Sequence, residues 1–129
     1  PRDVRASLLR HDGQKNDLAP LCGPHALLDL GGIEAQWSVM REALGDAWRP
    51  AWIPVGADGA GNLLYVDADE GAVRDYAHEE GHATWGPSWA AWLRSLADAL
   101  EAGELAWDRE YGLMGEDADA DFFGGEEWE

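Results

Sequence analysis

The chain has 129 residues, of which 46% are hydrophobic and eight are tryptophan, so it is long and apolar enough for one domain with a buried core and is not a disordered protein. The formal net charge of −17 disfavours binding to nucleic acid or to an anionic membrane and favours a basic partner, although an acidic surface that serves solubility alone explains it equally well.

No apolar run approaches the ~20 residues of a membrane span. Cys22 is the single cysteine and permits no intrachain disulfide, which fits a cytoplasmic location. Because the first residue is Pro1 rather than Met, we expect a processed or trimmed start.

The first third of the chain predicts two helices. Residues 3–9 form the first, which ends at a turn where Gly13 suits left-handed backbone. A brief apolar element at 25–30 follows, and the glycine pair 31–32 closes it. Residues 33–44 form the second helix, since their apolar residues recur with helical spacing. The apolar stripes of these helices are Val4, Leu8 and Leu9, and Ile33, Trp37, Met40 and Leu44.

The middle of the chain predicts extended structure. Prolines forbid a helix over residues 48–55 and permit an extended segment. A tight turn at 58–62 leads into a β-like run at 62–68, and a second turn at Gly71 leads into another run at 72–77. The two runs predict an antiparallel hairpin.

The clearest helix of the sequence covers residues 88–101. Ser88 can cap its start and Gly103 ends it. Its apolar stripe is Trp89, Trp92, Leu93, Leu96 and Leu100. Residues 104–114 are expected to return as an edge strand, and the tail beyond Gly115 holds seven acids and no base. The order of helices, then strands, then a helix predicts an α+β fold with helices packed on an antiparallel sheet.

Residues 78–82 read HEEGH and match the H-E-x-x-H zinc motif, in which two histidines on one helical face hold the metal and Glu79 acts as the base. Gly81 lies inside the motif, the Gly-Pro pair 86–87 follows it, and the preceding segment is β-like, so we expect a loop. The remaining histidines lie far upstream and mark no third ligand. A chance match is therefore the prediction, and a zinc hydrolase is the distant alternative.

Three other motif fragments are incomplete. CGPH at 22–25 lacks the second cysteine of a thioredoxin-type site. The D-x-D runs at 67–71 and 117–121 lack acids or a glycine that a calcium loop requires. DGAGN at 58–62 lacks the lysine and the following helix of a phosphate-binding loop. No serine–histidine or paired-carboxylate arrangement is marked either, so the residues give no positive evidence for catalysis.

The order of features along the middle of the chain carries more information than any single motif. The order begins with a tryptophan, a W-x-P segment and an Asp-Gly-x-Gly-Asn turn. A strand that ends in aspartate, a glycine turn and a second strand follow. A loop with histidine and acids then leads into a serine-capped amphipathic helix. In this order, and in its first two helices, the chain resembles the SUKH superfamily, the domain shared with the yeast cell-wall-synthesis regulator. The residues of the resemblance are Trp48, Trp52, Pro54, Asp58, Gly59, Gly61, Asn62, Asp67 and Gly71.

The resemblance implies an α+β fold with a curved, mainly antiparallel sheet flanked by helices over residues 1–113, followed by an acidic tail at 114–129. It implies a protein-binding domain without a cofactor. Bacterial members are typically immunity proteins that neutralise polymorphic toxins by direct contact, and the fungal member is a scaffold in cell-wall signalling. Together with the negative charge, this predicts an immunity protein for a basic, nuclease- or deaminase-type toxin; a regulatory scaffold is the alternative.

Aromatic anchors and acids are the expected partner contacts. Three tryptophans on helix stripes are expected in the core: Trp37, Trp89 and Trp92. Three others are expected at the surface: Trp85, Trp107 and Trp128. The candidate partner-binding residues are Trp48, Trp52, Asp58, Gly61, Asn62, Asp67, His78, Glu79, Glu80, Trp85 and Trp107. The sequence makes no prediction of the oligomeric state.

Overall fold

The structure, a computed structural model, describes residues 2–10, 13, 25–58, 61–77, 81–108 and 112–115. The helices are α1 (Arg2–Arg10), α2 (Leu30–Leu44) and α3 (Trp89–Ala102), and a 3-10 turn (Gly45–Ala47) follows α2. The strands are β1 (Ala26–Leu27), β2 (Trp52–Ala57), β3 (Leu63–Asp67), β4 (Val73–Ala77), β5 (Gly81–Gly86), β6 (Ala106–Asp108) and β7 (Gly112–Met114).

Strands β1 to β5 form one antiparallel sheet in which each strand pairs with its neighbour in the chain. Two bulges bend the sheet: β2 has one extra residue between Pro54 and Gly56, and β5 has one extra residue between Thr84 and Gly86, opposite Val73 and Arg74 of β4. The predicted α+β fold with helices on an antiparallel sheet, and the predicted β3–β4 hairpin, are confirmed.

Helices cover both faces of the sheet, and the central strand β3 is buried along its whole length. Because side chains alternate along a strand, Leu64 and Val66 enter a core with residues of α1 and α3, whereas Leu63 and Tyr65 enter a second core with Met40 of α2. The result is a three-layer arrangement with the sheet in the middle. None of the helices in the described part of the chain is both long and apolar enough to cross a membrane.

Local signals fix the ends of two helices. Ser88 caps α3 by accepting a hydrogen bond at its Oγ from the Ala91 amide (3.0 Å), and Gly103 ends α3 in left-handed backbone, as predicted. Helix α2 starts three residues earlier than predicted, because the Oδ1 of Asp29 accepts a hydrogen bond from the Gly32 amide (2.7 Å). This cap makes the glycine pair 31–32 the first turn of α2 rather than a stop.

Two predicted segments differ from the structure. Gly81 and His82 were expected in a loop but belong to β5, where Gly81 pairs with Ala77 of β4. Residues 104–114 were expected as an edge strand of the main sheet, but β6 and β7 pair with each other in a separate two-stranded sheet. The tail at 116–129 lies outside the described residues.

Two predicted stripe residues are also exposed. The exposed fraction is 79% for Leu9 and 40% for Leu100, and Ala99 takes the buried position at the end of α3 instead. Trp89 and Trp92 are buried, as predicted. Trp37 is half-buried and donates a hydrogen bond from its indole nitrogen to the Pro50 carbonyl (3.1 Å).

Candidate functional site

Five rings pack together on the sheet face that carries α2, and we call them the aromatic cluster: Trp48, Trp52, Tyr65, Tyr76 and His82. The ring of Trp48 meets Trp52 and Tyr65 edge-on, with centroids 5.2 Å and 5.1 Å apart, the arrangement that ring quadrupoles favour. Trp48 and Tyr65 are 0% exposed, whereas Tyr76 is half-buried and His82 is exposed. The cluster therefore has a closed centre and an open edge.

The sheet register and α2 bring these rings together. Tyr76 of β4 pairs with His82 of β5, so their side chains are direct cross-strand neighbours. Trp48 comes from the connection after α2, where Arg41 holds the backbone by donating from Nη1 to the carbonyl oxygens of Trp48 (2.7 Å) and Gly45 (3.2 Å). Residues distant in sequence are thereby fixed around one buried tryptophan.

A hydrogen bond of 2.7 Å joins the Tyr65 hydroxyl to Nδ1 of His82. Burial raises the pKa of Tyr65 to about 12, and burial together with the positive charge of Arg74 lowers the pKa of His82. Both groups are therefore neutral at pH 7. The hydrogen bond joins β3 to β5 across the sheet and so helps to hold the aromatic cluster in place.

Arg74 lies at the open edge of the aromatic cluster. It pairs with Tyr65 in the β3–β4 register, and its guanidinium carbon is 6.0 Å from the centroid of that ring. Its Nε is buried and has no hydrogen-bond partner in the part of the chain that the structure describes. Its positive charge beside His82 disfavours a cation at this edge.

Three residues of the family resemblance, Asp58, Gly61 and Asn62, stabilise the turn between β2 and β3. The side-chain amide of Asn62 donates to Oδ2 of Asp58 (2.8 Å), and the Asn62 backbone amide donates to Oδ1 (3.2 Å). Gly61 has a φ of 96°, where a side chain would be strained. Asp58, Gly61 and Asn62 thus have a structural role that accounts for their presence.

Replacing Asp58 with alanine removes both bonds, so we expect a loss of about 1–3 kcal/mol in the free energy of unfolding. Urea denaturation measures it. The matched control is Asp69→Ala in the exposed β3–β4 turn, for which we expect a change within about 0.5 kcal/mol. Equal stabilities of the two variants would contradict this role of Asp58.

Asp67 closes the next turn. It is 5% exposed, and its Oδ1 accepts hydrogen bonds from the backbone amides of Asp69 (2.9 Å) and Glu70 (3.3 Å). Gly71 completes the turn with a φ of 86°. The D-x-D fragment at 67–71 is therefore an aspartate-stabilised turn.

Trp85 was expected at the surface, and this is wrong. It is 2% exposed, lies on the sheet face opposite the aromatic cluster, and donates from its indole nitrogen to Oδ2 of Asp75 (2.7 Å). Its ring centroid lies 5.5 Å from that of Trp92 on α3. Trp85 is a core residue under α3.

The last two residues of the zinc motif lie in a strand. Gly81 and His82 belong to β5, and the φ of Gly81 is 93°, far from the helical region. The other three residues, His78, Glu79 and Glu80, lie outside the described residues. Within the ranges that are described, no three His, Cys, Asp or Glu side chains are grouped closely enough to hold a metal. Cys22 lies outside those ranges.

His25, the last residue of the CGPH fragment, is buried in the core. It is 3% exposed, its ring lies 5.7 Å from that of Trp85, and its Nδ1 is buried without a hydrogen-bond partner among the described residues. Burial lowers its pKa, and the negative charge of Asp58 opposes this shift only in part. His25 is therefore neutral in the folded protein at pH 7.

This burial predicts a loss of stability in mild acid. The folded-state pKa of His25 lies below the unfolded value of 6.5, so the unfolded chain binds more protons as the pH falls through that value. The free energy of unfolding should fall from pH 7.5 to pH 5.5, and His25 contributes at most about 1.4 kcal/mol to this fall, since only one pH unit lies between its unfolded pKa and pH 5.5. Urea denaturation at both values measures it. In His25→Gln the dependence should be shallower; equal slopes, or higher stability at pH 5.5, would contradict the prediction.

The candidate residues do not form one surface. Trp48 and Trp52 lie in the aromatic cluster, four residues lie in turns, Trp85 lies in the opposite core, and Trp107 is 42% exposed on β6. The turn residues are Asp58, Gly61, Asn62 and Asp67. Sequence reasoning missed Arg74 and considered His82 only as a zinc ligand, because the proximity of these two residues depends on the β4–β5 pairing.

Comparison with known proteins gives a family. The sequence model of the SMI1 / KNR4 family (SUKH-1) matches residues 1–95. No curated protein matches the chain. The matched range holds α1, α2, the five-stranded sheet and the aromatic cluster, and it stops within α3, before the β6–β7 hairpin. The chain belongs to the SMI1 / KNR4 (SUKH-1) family.

Proposed function

We propose that this chain is a non-catalytic binding domain of the immunity type, which neutralises a basic bacterial toxin in the cytoplasm by direct contact. The observation that carries the proposal is the charge of the exposed surface. In the described ranges, ten acidic residues are exposed but only four arginines are. The exposed acids are Asp29, Glu34, Glu42, Asp46, Asp69, Glu70, Asp98, Glu101, Glu104 and Asp108. The exposed bases are Arg2, Arg5, Arg49 and Arg94.

Such a surface suits a partner that acts on nucleic acid. An enzyme of that kind carries a basic groove for the phosphate backbone, and an acidic protein competes for the same groove. Opposite charges also accelerate the encounter, and the acceleration weakens as salt is added.

Co-expression tests the proposal. Each toxin domain found encoded near this gene is induced in bacteria with or without the chain, and growth is measured. We expect the chain to restore growth against the adjacent toxin and not against an unrelated toxin of similar basicity. Failure to protect against every toxin encoded nearby would contradict it, and a gene with no toxin beside it would favour the regulatory scaffold.

A further inference from the structure

The sheet face that carries α2 is covered unevenly. Helix α2 packs against β2 at one side of this face, whereas β4 and β5 form the other side. On β4 and β5 the ring of His82 is exposed, and Arg74, Tyr76 and Thr84 are half-buried. The register pairs Arg74 with Thr84 and Tyr76 with His82, so the four side chains lie on one face of adjacent strands. We call these four residues the open face.

The guanidinium of Arg74 is the positive charge of the open face. The structure gives it no hydrogen bond and no ion pair within the described ranges. Its Nε is buried, whereas its terminal nitrogens keep access to solvent. Arg41 of α2 shows the contrast, since its Nη1 donates to two carbonyl oxygens. Arg74 is therefore a partly desolvated cation, and such a group gains more from a bound anion than a fully hydrated cation does.

The acids close to Arg74 in the sheet are engaged elsewhere. Asp75 follows Arg74 in β4, and Asp67 lies two residues beyond Tyr65, the cross-strand partner of Arg74. Asp75 accepts a hydrogen bond from Trp85 on the opposite face, and Asp67 accepts the backbone amides of its own turn. The chain holds 26 acids, yet none in the described ranges is paired with this guanidinium.

Rings fix the surroundings of the guanidinium. Its carbon lies 6.0 Å from the centroid of Tyr65, whose hydroxyl is hydrogen-bonded to His82. The ring of His82 in turn lies 5.1 Å from those of Trp52 and Tyr76. The buried Nε shows that water is excluded from one side of the guanidinium, which strengthens a hydrogen bond to a carboxylate that arrives from the other side. Arginine and aromatic residues are also the types enriched in binding hot spots.

We propose that the open face docks a carboxylate of the partner protein, with an aspartate or glutamate side chain bound to the terminal nitrogens of Arg74. A guanidinium and a carboxylate form two parallel hydrogen bonds, so the pair fixes an orientation as well as supplying energy. The acidic remainder of the surface attracts a basic partner without specifying how it is turned, whereas a cation at one place admits an acid and repels a lysine. The proposal rests on the proposed function for the identity of the partner.

The first test measures the Kd between the chain and a catalytically inactive form of the toxin by calorimetry. Arg74→Gln should weaken binding at least tenfold, and Arg74→Lys should recover only part of the loss, because an ammonium lacks the planar fork of a guanidinium. Circular dichroism melting confirms that each variant folds.

The matched control is Arg94→Gln on α3, which makes the same change in net charge at an exposed arginine on the other side of the sheet. It should leave the Kd within about threefold or tighten it, because a basic partner is attracted more strongly to a more negative chain. The two variants are therefore expected to differ in direction, which a general charge effect cannot produce.

The second test needs no partner. Acetate is titrated into the unaltered chain against chloride at constant ionic strength, and the Nε–H signal of Arg74 is followed by NMR. We expect a saturable shift of this signal, and a smaller, non-saturating one at the Nε–H of Arg94. Loss of the signal in Arg74→Gln assigns it.

An unchanged or tighter Kd in Arg74→Gln, or an equal loss in Arg94→Gln, would overturn the proposal, and an acetate shift beside an unchanged Kd would show an adventitious anion only. Absence of the acetate shift would overturn the assignment of the ligand as a carboxylate. If Arg74→Gln still neutralises the toxin with an unchanged Kd, the proposed function stands without this docking site. If the unaltered chain neutralises no toxin, the proposed function fails, and the acetate titration decides whether the carboxylate site exists.

Discussion

Replacing Trp48 with alanine is expected to lower the free energy of unfolding by about 3–5 kcal/mol. Trp48 is 0% exposed and contacts Trp52, Tyr65 and Tyr76 edge-on, so truncation removes these contacts and leaves a cavity at the centre of the aromatic cluster. Its indole nitrogen has no hydrogen-bond partner among the described residues, so the loss is one of packing alone. Urea denaturation followed by circular dichroism measures it.

The control is Trp107→Ala, which removes the same side chain from a position that is 42% exposed. Because part of the Trp107 ring already lies in water, the expected loss in the free energy of unfolding is smaller, about 1–2 kcal/mol. Similar stabilities for the two variants would contradict the assignment of Trp48 to structure and of Trp107 to the surface. The pair thus compares a fully buried tryptophan with a partly exposed one.

Gly13→Ala is expected to lower the free energy of unfolding by about 2–4 kcal/mol. The φ of Gly13 is 84°, and a Cβ there would lie 2.6 Å from the backbone nitrogen and 2.9 Å from the Cα of Asp29. These backbone atoms belong to the N-cap of α2, so they cannot move aside without disturbing the helix start. The variant therefore combines strained backbone with a collision. Chemical denaturation again gives the free energy.

Gly103→Ala separates these two contributions. Its φ of 81° is nearly the same, but a Cβ at Gly103 would have no neighbour within 4 Å. We expect about 1 kcal/mol from backbone strain alone. If the two alanine variants lose the same free energy of unfolding, Gly13 does not lie as close to the Asp29 backbone as the structure has it.

The elements predicted most accurately from the sequence are those whose ends and periodicity are set by residues close together in the chain. Helix α3 was predicted nearly to its ends because Ser88 and Gly103 are adjacent to it and its apolar residues recur with helical spacing. The β3–β4 hairpin was predicted from two β-like runs and an intervening turn. Strand β5 was missed because it has glycine at both ends and is defined by its pairing with β4.

The candidate site was predictable only in part, for a related reason. The resemblance marked Trp48 and Trp52, but the Tyr65–His82 hydrogen bond joins strands that are not adjacent in the sheet and has no sequence signal. Trp85 was misplaced because β5 was not predicted as a strand: His82 lies on the α2 side, so alternation along β5 puts Trp85 on the α3 side of the sheet.

The salt dependence of partner binding tests the central proposal most directly. Calorimetry would measure the Kd between the chain and a catalytically inactive form of the adjacent toxin at about 50 mM and about 200 mM salt. We predict a Kd in the nanomolar range or tighter at the lower concentration, weakened at least tenfold at the higher one, because acidic and basic surfaces meet. No detectable binding, or a Kd that salt does not change, would contradict it.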